Sequence, residues 1–284
     1  MSFKAVIGHE NQVSYIKNSI MSKSLSHAFI FEGIDGIGKE LIATSLVKAL
    51  FCEALEVDAC GSCRSCKKLS NDNHPDYMEI EPDGKSIKNA QIEDFQEFAI
   101  IKPYDSSHKI VIIKEADKMN ASSQNRILKT LEEPPEHVII IMITNNSEVL
   151  LPTVVSRCQI LKFNGVSDAL IKSYINSNYS TSEEEAEMIA RLAVGSIGRA
   201  IEYMESDEFK VIMSSTIELL NAINSKQQSK VLELLGFFTS NKENIVKILD
   251  YMILWYRDII RIKIINFSCF FKSNSDDSYH LYLQ

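Results

Sequence analysis

Seven residues, Gly33-Ile34-Asp35-Gly36-Ile37-Gly38-Lys39, lie between the apolar run His27–Phe31 (HAFIF) and a stretch of helical spacing, Glu40–Leu50. A G-x-x-x-x-G-K segment in that position constrains the fold more than any other feature of the chain. Its glycines let backbone N–H groups turn toward a phosphate at a helix N-terminus, and the lysine adds a point charge. The plain alternative is a glycine-rich strand-to-helix turn with no ligand. Either way the unit is strand, loop, helix, which belongs to an α/β domain with a mainly parallel sheet. Two further apolar runs, Lys109–Ile113 (KIVII) and Val138–Thr144 (VIIIMIT), are continuous rather than alternating, as in strands covered on both faces. A helix over Ser122–Leu131 is stopped by Pro134 and Pro135, which lack the N–H a helix needs.

The phosphate loop is incomplete. After its lysine the motif has Ser or Thr, whose hydroxyl holds the nucleotide's Mg²⁺; here the residue is Glu40. The run Ile110–Lys118 (IVIIKEADK) resembles a Walker B strand, but Lys114 stands where the Mg²⁺-holding Asp belongs, while Glu115 keeps the place of the water-activating base. A protonated lysine is no magnesium ligand and repels the ion. The expectation is a degenerate nucleotide site with Gly33, Gly36, Gly38, Lys39 and Glu115 retained. Nucleotide binding stays open, and Mg²⁺-dependent hydrolysis is not expected.

Cys52, Cys60, Cys63 and Cys66 give C-x7-C-x2-C-x2-C. Short C-x2-C steps bring two thiolates to one ion from a tight turn, and Gly61 helps that turn form. Four thiolates with no open position describe a structural zinc site, not a catalytic one. The alternative is a cluster of reduced thiols or local disulfides, which a chain with no export signal disfavours. His74 is within reach in sequence but is not needed beside four thiolates. Cys158 and Cys269 read as small buried hydrophobes.

A chain of 284 residues exceeds the usual reach of one core, so two or three domains are expected. After Phe163-Asn164-Gly165 the pattern turns wholly helical. Ser182 with Glu185 forms a capping box for a helix running to about Ala193 and stopping at Gly195. The expected division is an α/β domain at 1–165 carrying the zinc module at about 52–66, a helical domain at 166–207, and an all-helical domain at 208–284. A net charge of −8 argues against a protein that grips nucleic acid by itself, because duplex affinity rests on Lys and Arg neutralising phosphates. The start MSFKAVIGHENQ has no apolar leader. The apolar stretch from Ile245 to Ile265 is broken by Lys247, Asp250, Arg257, Asp258, Arg261 and Lys263, so it packs against protein and not lipid. A cytoplasmic protein is expected. The tail from Cys269 onward has no readable period.

Over residues 5–205 the sequence resembles the delta-prime family of bacterial DNA polymerase III clamp-loader subunits, with the gamma/tau motor subunits next. The resemblance rests on HAFIFEGIDGIGKE leading to the four cysteines, and on Leu128–Pro135 (LKTLEEPP). It rests also on Thr144-Asn145-Asn146 at the sensor 1 position, Ser156-Arg157-Cys158 as the SRC motif, and Gly195–Ala200 (GSIGRA) as sensor 2. It implies an AAA+ module, RecA-like in its sheet, followed by a helical lid and a collar. Asn145 and Arg199 would then join the nucleotide residues. Arg157 would serve as an arginine finger reaching a neighbour's γ-phosphate. The implied partners are the motor (gamma/tau) and delta subunits in a ring, with the sliding clamp and primed DNA reached through the complex. Leu254–Asp258 resembles a collar helix, and the collar reads as shortened.

Two rival functions stand beside a non-catalytic ring subunit. An active motor-type ATPase would need Ser/Thr and Asp at positions 40 and 114. A stand-alone zinc adaptor would have no use for an SRC element or for sensor residues. Polymerase chemistry finds no support, because no carboxylate cluster with metal-holding spacing stands out.

Overall fold

A computed structural model of the chain describes residues 2–54 and 57–225, together with positions 236, 245, 248, 249, 252, 253, 256 and 257. The chain divides into two compact units, Met1–Ile201 and Glu202–Gln284.

In the first unit, helix α1 (Glu10–Met21) precedes strand β1 (Ala28–Glu32), and the glycine loop leads into α2 (Lys39–Phe51). The short α3 (Arg64–Ser70) and β2 (Tyr77–Ile80) follow, then α4 (Asn89–Ile100), β3 (Lys109–Ile113) and α5 (Ala121–Glu132). Next come β4 (Val138–Thr144), α6 (Pro152–Val155) and β5 (Gln159–Lys162), with α7 (Asp168–Asn178) and α8 (Glu183–Leu192) completing the helical part. Helix α9 (Ile197–Glu205) crosses from the first unit into the second, where α10 (Asp207–Asn224) begins.

The sheet order is β2-β3-β4-β1-β5, and every pairing is parallel. All five residues of β3 and all seven of β4 are buried, as their unbroken apolar runs require. On one face Ile30, Val111, Ile113 and Ile140 share a core with Phe95 of α4 and Ile127 of α5. Phe29 and Phe31 alternate to the other face and are fully buried, and α2, which packs against β4, buries Ile42, Ala43 and Leu46. Each of the larger of these side chains, Ile, Leu, Val or Phe, contributes about 1.5–3 kcal/mol by leaving water.

The helix ends follow local chemistry. Asn120 caps α5, its side chain accepting from the Ser123 N–H at 2.8 Å. Ser182 caps α8 in the same way through the Glu185 N–H at 3.1 Å, with three glutamates in the first turn. The first strand lies one residue later than the HAFIF reading places it. Strands β2 and β5, four residues each and at the sheet edges, carry no unbroken apolar run, so the sequence does not announce them.

Within the second unit, α10 buries Phe209, Ile212, Leu219 and Leu220, and Tyr203 stacks on Phe209 with ring centres 4.0 Å apart. Of the collar stretch Leu254–Asp258, Tyr256 and Arg257 are described, both helical; Leu254, Trp255 and the tail from Cys269 lie outside the described residues. Among the described residues no helix is long and apolar enough to cross a membrane.

Candidate functional site

The phosphate loop sits where its sequence context requires. Strand β1, paired on both sides, delivers the chain to Gly33, and Gly38 caps α2 with φ +106°. Gly36 is also left-handed, at φ +72°. A Cβ on Gly36 would lie 2.5 Å from Ser196 Oγ, and one on Gly198 would lie 2.7 Å from Gly36 Cα. That approach lets the start of α9 rest on the loop: the Gly198 N–H donates to Gly36 O at 2.7 Å and Ser196 Oγ donates to Asp35 O at 2.8 Å. Arg199 begins this helix, its N–H donating to Ser196 Oγ at 3.2 Å and its side chain half-buried.

Lys39 is buried, and its ammonium is fully engaged. It donates to Gly33 O, to Ile34 O at 2.9 Å and to Asn145 Oδ1 at 3.0 Å. Asn145 in turn donates to Asp35 Oδ2 at 2.9 Å. Burial lowers the Lys39 pKa, opposed by the carboxylates of Asp35, Asp117 and Glu40. Asn145 and the loop lysine thus meet, although they are 106 residues apart in sequence.

Lys114 is held between two carboxylates. Lys114, just past β3, places Nζ 3.0 Å from Glu79 Oε2 and 2.7 Å from Glu81 Oε1. Strand parity explains the match. Glu79 pairs with Ile112 across β2 and β3, so Glu79, Glu81, Ile112 and Lys114 fall on one side of the sheet. Burial works against the Lys114 charge, but the hydrogen bonds it donates to Glu81 and Glu79, with Glu40 beyond, hold its pKa above the ordinary lysine value. Glu115 has a left-handed backbone, φ 46°, and its carboxylate lies 2.5 Å from Lys118 Nζ. Lys39, Glu40, Glu81, Lys114, Glu115 and Asn145 all line one cleft of about 730 Å³; Gly36 and Gly38 share its wall, whereas Gly33 and Arg199 lie outside it. Sequence reasoning missed Glu79 and Glu81. No local signal marks them, because Lys114 lies just past β3 and the meeting depends on the register of β2 against β3.

Arg157 is placed elsewhere. It follows α6, which Pro152 opens at a position where the missing N–H costs nothing. The guanidinium donates to Thr153 O at 2.9 Å and pairs with Glu132 Oε1 at 2.8 Å, leaving the side chain 36% exposed. It is not among the residues lining the cleft of its own chain.

The cysteines converge. The Sγ atoms of Cys52, Cys60, Cys63 and Cys66 all lie within 4.8 Å of one another, and Cys60 and Cys66 are 4.0 Å apart. None is in a disulfide. Four sulfurs at about 2.3 Å from one ion would stand about 3.8 Å from each other, so the cage fits with little contraction. Backbone N–H groups aim at the sulfurs as they do at thiolates. Cys63 N and Ser62 N reach Cys60 Sγ at 3.2 and 3.4 Å, Cys66 N reaches Cys63 Sγ at 3.4 Å, and Cys60 N reaches Cys52 Sγ at 3.3 Å. The N–H groups of Ser62 and Cys63 lower the Cys60 thiol to about 6, whereas burial pushes Cys66 up to about 12. A buried thiol of that kind needs a cation to lose its proton. Gly61, at φ +72°, makes the turn. His74 is not a fifth member: it stacks on Phe51 at 4.4 Å, and its Nδ1 accepts from the Asp76 N–H at 3.2 Å. Cys158 packs against the core, where burial pushes its thiol to about 12, and Cys269 lies outside the described residues.

Comparison with known proteins adds one family match and three relatives. Residues 8–167 match the family model described as DNA polymerase III, delta subunit. The chain is 35% identical to the DNA polymerase III subunit delta' of Bacillus subtilis (strain 168), covering 88% of this chain and 76% of that one. It is 27% identical to the delta' subunit of Haemophilus influenzae, covering 84% and 72%, and 28% identical to the tau subunit of B. subtilis, covering 92% of this chain and half of that longer one.

Proposed function

The chain belongs to the DNA polymerase III delta-subunit family and is a clamp-loader subunit of the delta-prime kind, and from that premise we propose that it turns over no ATP itself and lends Arg157 to a neighbour's site. The observation that carries this reading is Lys114. Its ammonium sits between two carboxylates, and the residue lines the phosphate-loop cleft where a working site would hold Mg²⁺. Glu40 adds a further negative charge where the motif normally offers a neutral hydroxyl. Phosphoryl transfer depends on positioning and on neutralising charge at the phosphate oxygens. A cleft walled by Asp35, Glu40, Glu81 and Glu115, with both lysines already engaged, supplies neither.

What remains useful for catalysis faces outward. Arg157 is partly exposed, always charged and capable of a bidentate grip on phosphate. Its carboxylate partner Glu132 is half-exposed, so a neighbour's γ-phosphate can compete for the guanidinium. The four cysteines would hold one zinc ion as a structural staple, contributing folding free energy to residues 52–66. The motor (gamma/tau) and delta subunits are the proposed ring partners, with the sliding clamp and primed DNA met through the assembly. Among the rivals, the motor-type ATPase is disfavoured by Glu40 and Lys114, and the lone adaptor by the meeting of Lys39 with Asn145.

The test is assembly. Mixed with purified motor and delta subunits, the chain should enter a complex whose mass, by light scattering, includes one copy of it. A mixture that elutes as separate components would contradict the reading.

A further inference from the structure

Helix α4 runs out into a surface that is unusually apolar. Ile100, Ile101 and Tyr104 are 76%, 63% and 84% exposed. The start of this segment is fixed by two side chains on the last carbonyls of the helix: Lys109 Nζ donates to Phe98 O at 3.0 Å, and His137 Nε2 lies 3.1 Å from Ala99 O. Its far end is fixed by one buried carboxylate. Asp76 accepts from the N–H groups of Tyr104, Asp105 and Ser106 at 2.7, 2.7 and 2.9 Å, and from Ser106 Oγ at 3.0 Å.

The same end is gripped from outside by α3. Asp105 is ion-paired with Lys68, and Arg64 NH2 lies 4.0 Å from its other oxygen. Arg64 and Lys68 are four residues apart, on one face of the helix. Helix α3 has seven residues, well below the roughly 12–15 at which a helix begins to hold in water. Beside its packing on α2, through buried Leu69 and the Lys48 Nζ bond to Ser70 Oγ at 3.4 Å, the cysteine cage holds it: Cys63 is its N-cap, Cys66 is its most buried side chain, and Glu53, just after Cys52, accepts from Ser65 N and Ser65 Oγ. The chain leaving α3 returns to it through the Asn73 N–H on Lys68 O at 2.9 Å and runs directly to Asp76. The grip of Lys68 and Arg64 on Asp105 therefore descends from the module, whereas Asp76 is joined to it through the Asn73 turn and is also anchored in the sheet, its carbonyl accepting from the Ile110 N–H at 2.9 Å.

We propose that the four-cysteine module, when it holds its metal, braces residues 103–106 and so sets the shape of the Ile100–Tyr104 surface. The inference rests on the metal reading given above, and its test separates the two. Hydrogen exchange would be followed on the full chain, zinc-loaded and chelator-stripped, with zinc content measured in each. Stripping should raise exchange in peptides covering 103–106 about tenfold, the factor that goes with one charge-assisted hydrogen bond. Peptides from β3 and β4 should not change. The double variant Arg64→Ala/Lys68→Ala should keep its zinc and still show faster exchange at 103–106. The brace is overturned, with the metal reading intact, if the zinc-loaded double variant exchanges there like the parent, or if stripping changes α3 alone. Protection lost equally through β3 and β4 would also overturn it, by making the metal a global staple. Absence of bound zinc from the parent protein would overturn both.

Discussion

Arg157 and Glu132 form an ion pair of 2.8 Å that joins the SRC segment to the end of α5. The acid stands in the last turn of its helix, where the dipole disfavours a negative charge, so the arginine relieves a local cost. The pair is also weak, since both groups are well exposed and exposed pairs are worth about 0.2–1 kcal/mol.

A first prediction follows from that weakness. Glu132→Ala should lower stability by about 1 kcal/mol or less in a thermal melt. A loss several times larger would mean that Arg157 is structural and unavailable to a neighbour.

A second prediction concerns metal. Purified without chelator, the protein should carry zinc near equimolar, and Cys66→Ser should abolish it, because Cys66 is the buried corner of the cage. Zinc content near zero, with all four cysteines open to a thiol probe in the native state, would contradict the assignment.

A third concerns Asp76. Its burial alone would raise its pKa, but the N–H groups of Tyr104, Asp105 and Ser106 hold it below the ordinary carboxylate value. A depressed folded pKa gives stability that is present above the unfolded value, near 3.8, and is lost as pH falls through the folded one. Asp76→Asn should cost on the order of 3 kcal/mol at neutral pH. Urea melts of the two proteins should converge only below about pH 4; convergence near pH 6 would contradict this account.

A fourth concerns catalysis. The isolated chain should hydrolyse no ATP above background, because on the proposed reading Glu40 and Lys114 stand where magnesium-holding groups would be. Nucleotide binding without turnover is compatible with this. Mg²⁺-dependent turnover that disappears on Lys39→Ala is not.

Much of this was legible before any coordinates. The glycine loop announced its strand and helix, the unbroken runs at 109–113 and 138–144 announced buried parallel strands, and the cysteine spacing announced a cage. These are local signals, fixed by backbone conformation and burial. The carboxylates around Lys114 were not legible, because their meeting depends on the register of β2 against β3, which no local pattern sets. The same holds for the resting of Gly198 on Gly36, where glycine acts by what it leaves out, while Asn145 was expected beside Lys39 only through the family resemblance. The Asp76 clamp was missed for a different reason: one carboxylate serving a loop some 30 residues away leaves no periodic trace.

The central claim is that this subunit contributes an arginine and not an active site, and Arg157→Ala in the reconstituted clamp loader tests it most directly. A guanidinium supplied in trans is worth about 10³–10⁵ in rate in GTPases, but one finger serves one of several sites. The variant should keep its fold and zinc, enter the complex, remove part of the DNA- and clamp-stimulated ATPase, and lower clamp loading more steeply. Arg157→Lys should rescue little, since a point charge does not reproduce the planar fork. A correctly folded and assembled Arg157→Ala complex that hydrolyses ATP and loads clamps at the parent rate would contradict the account.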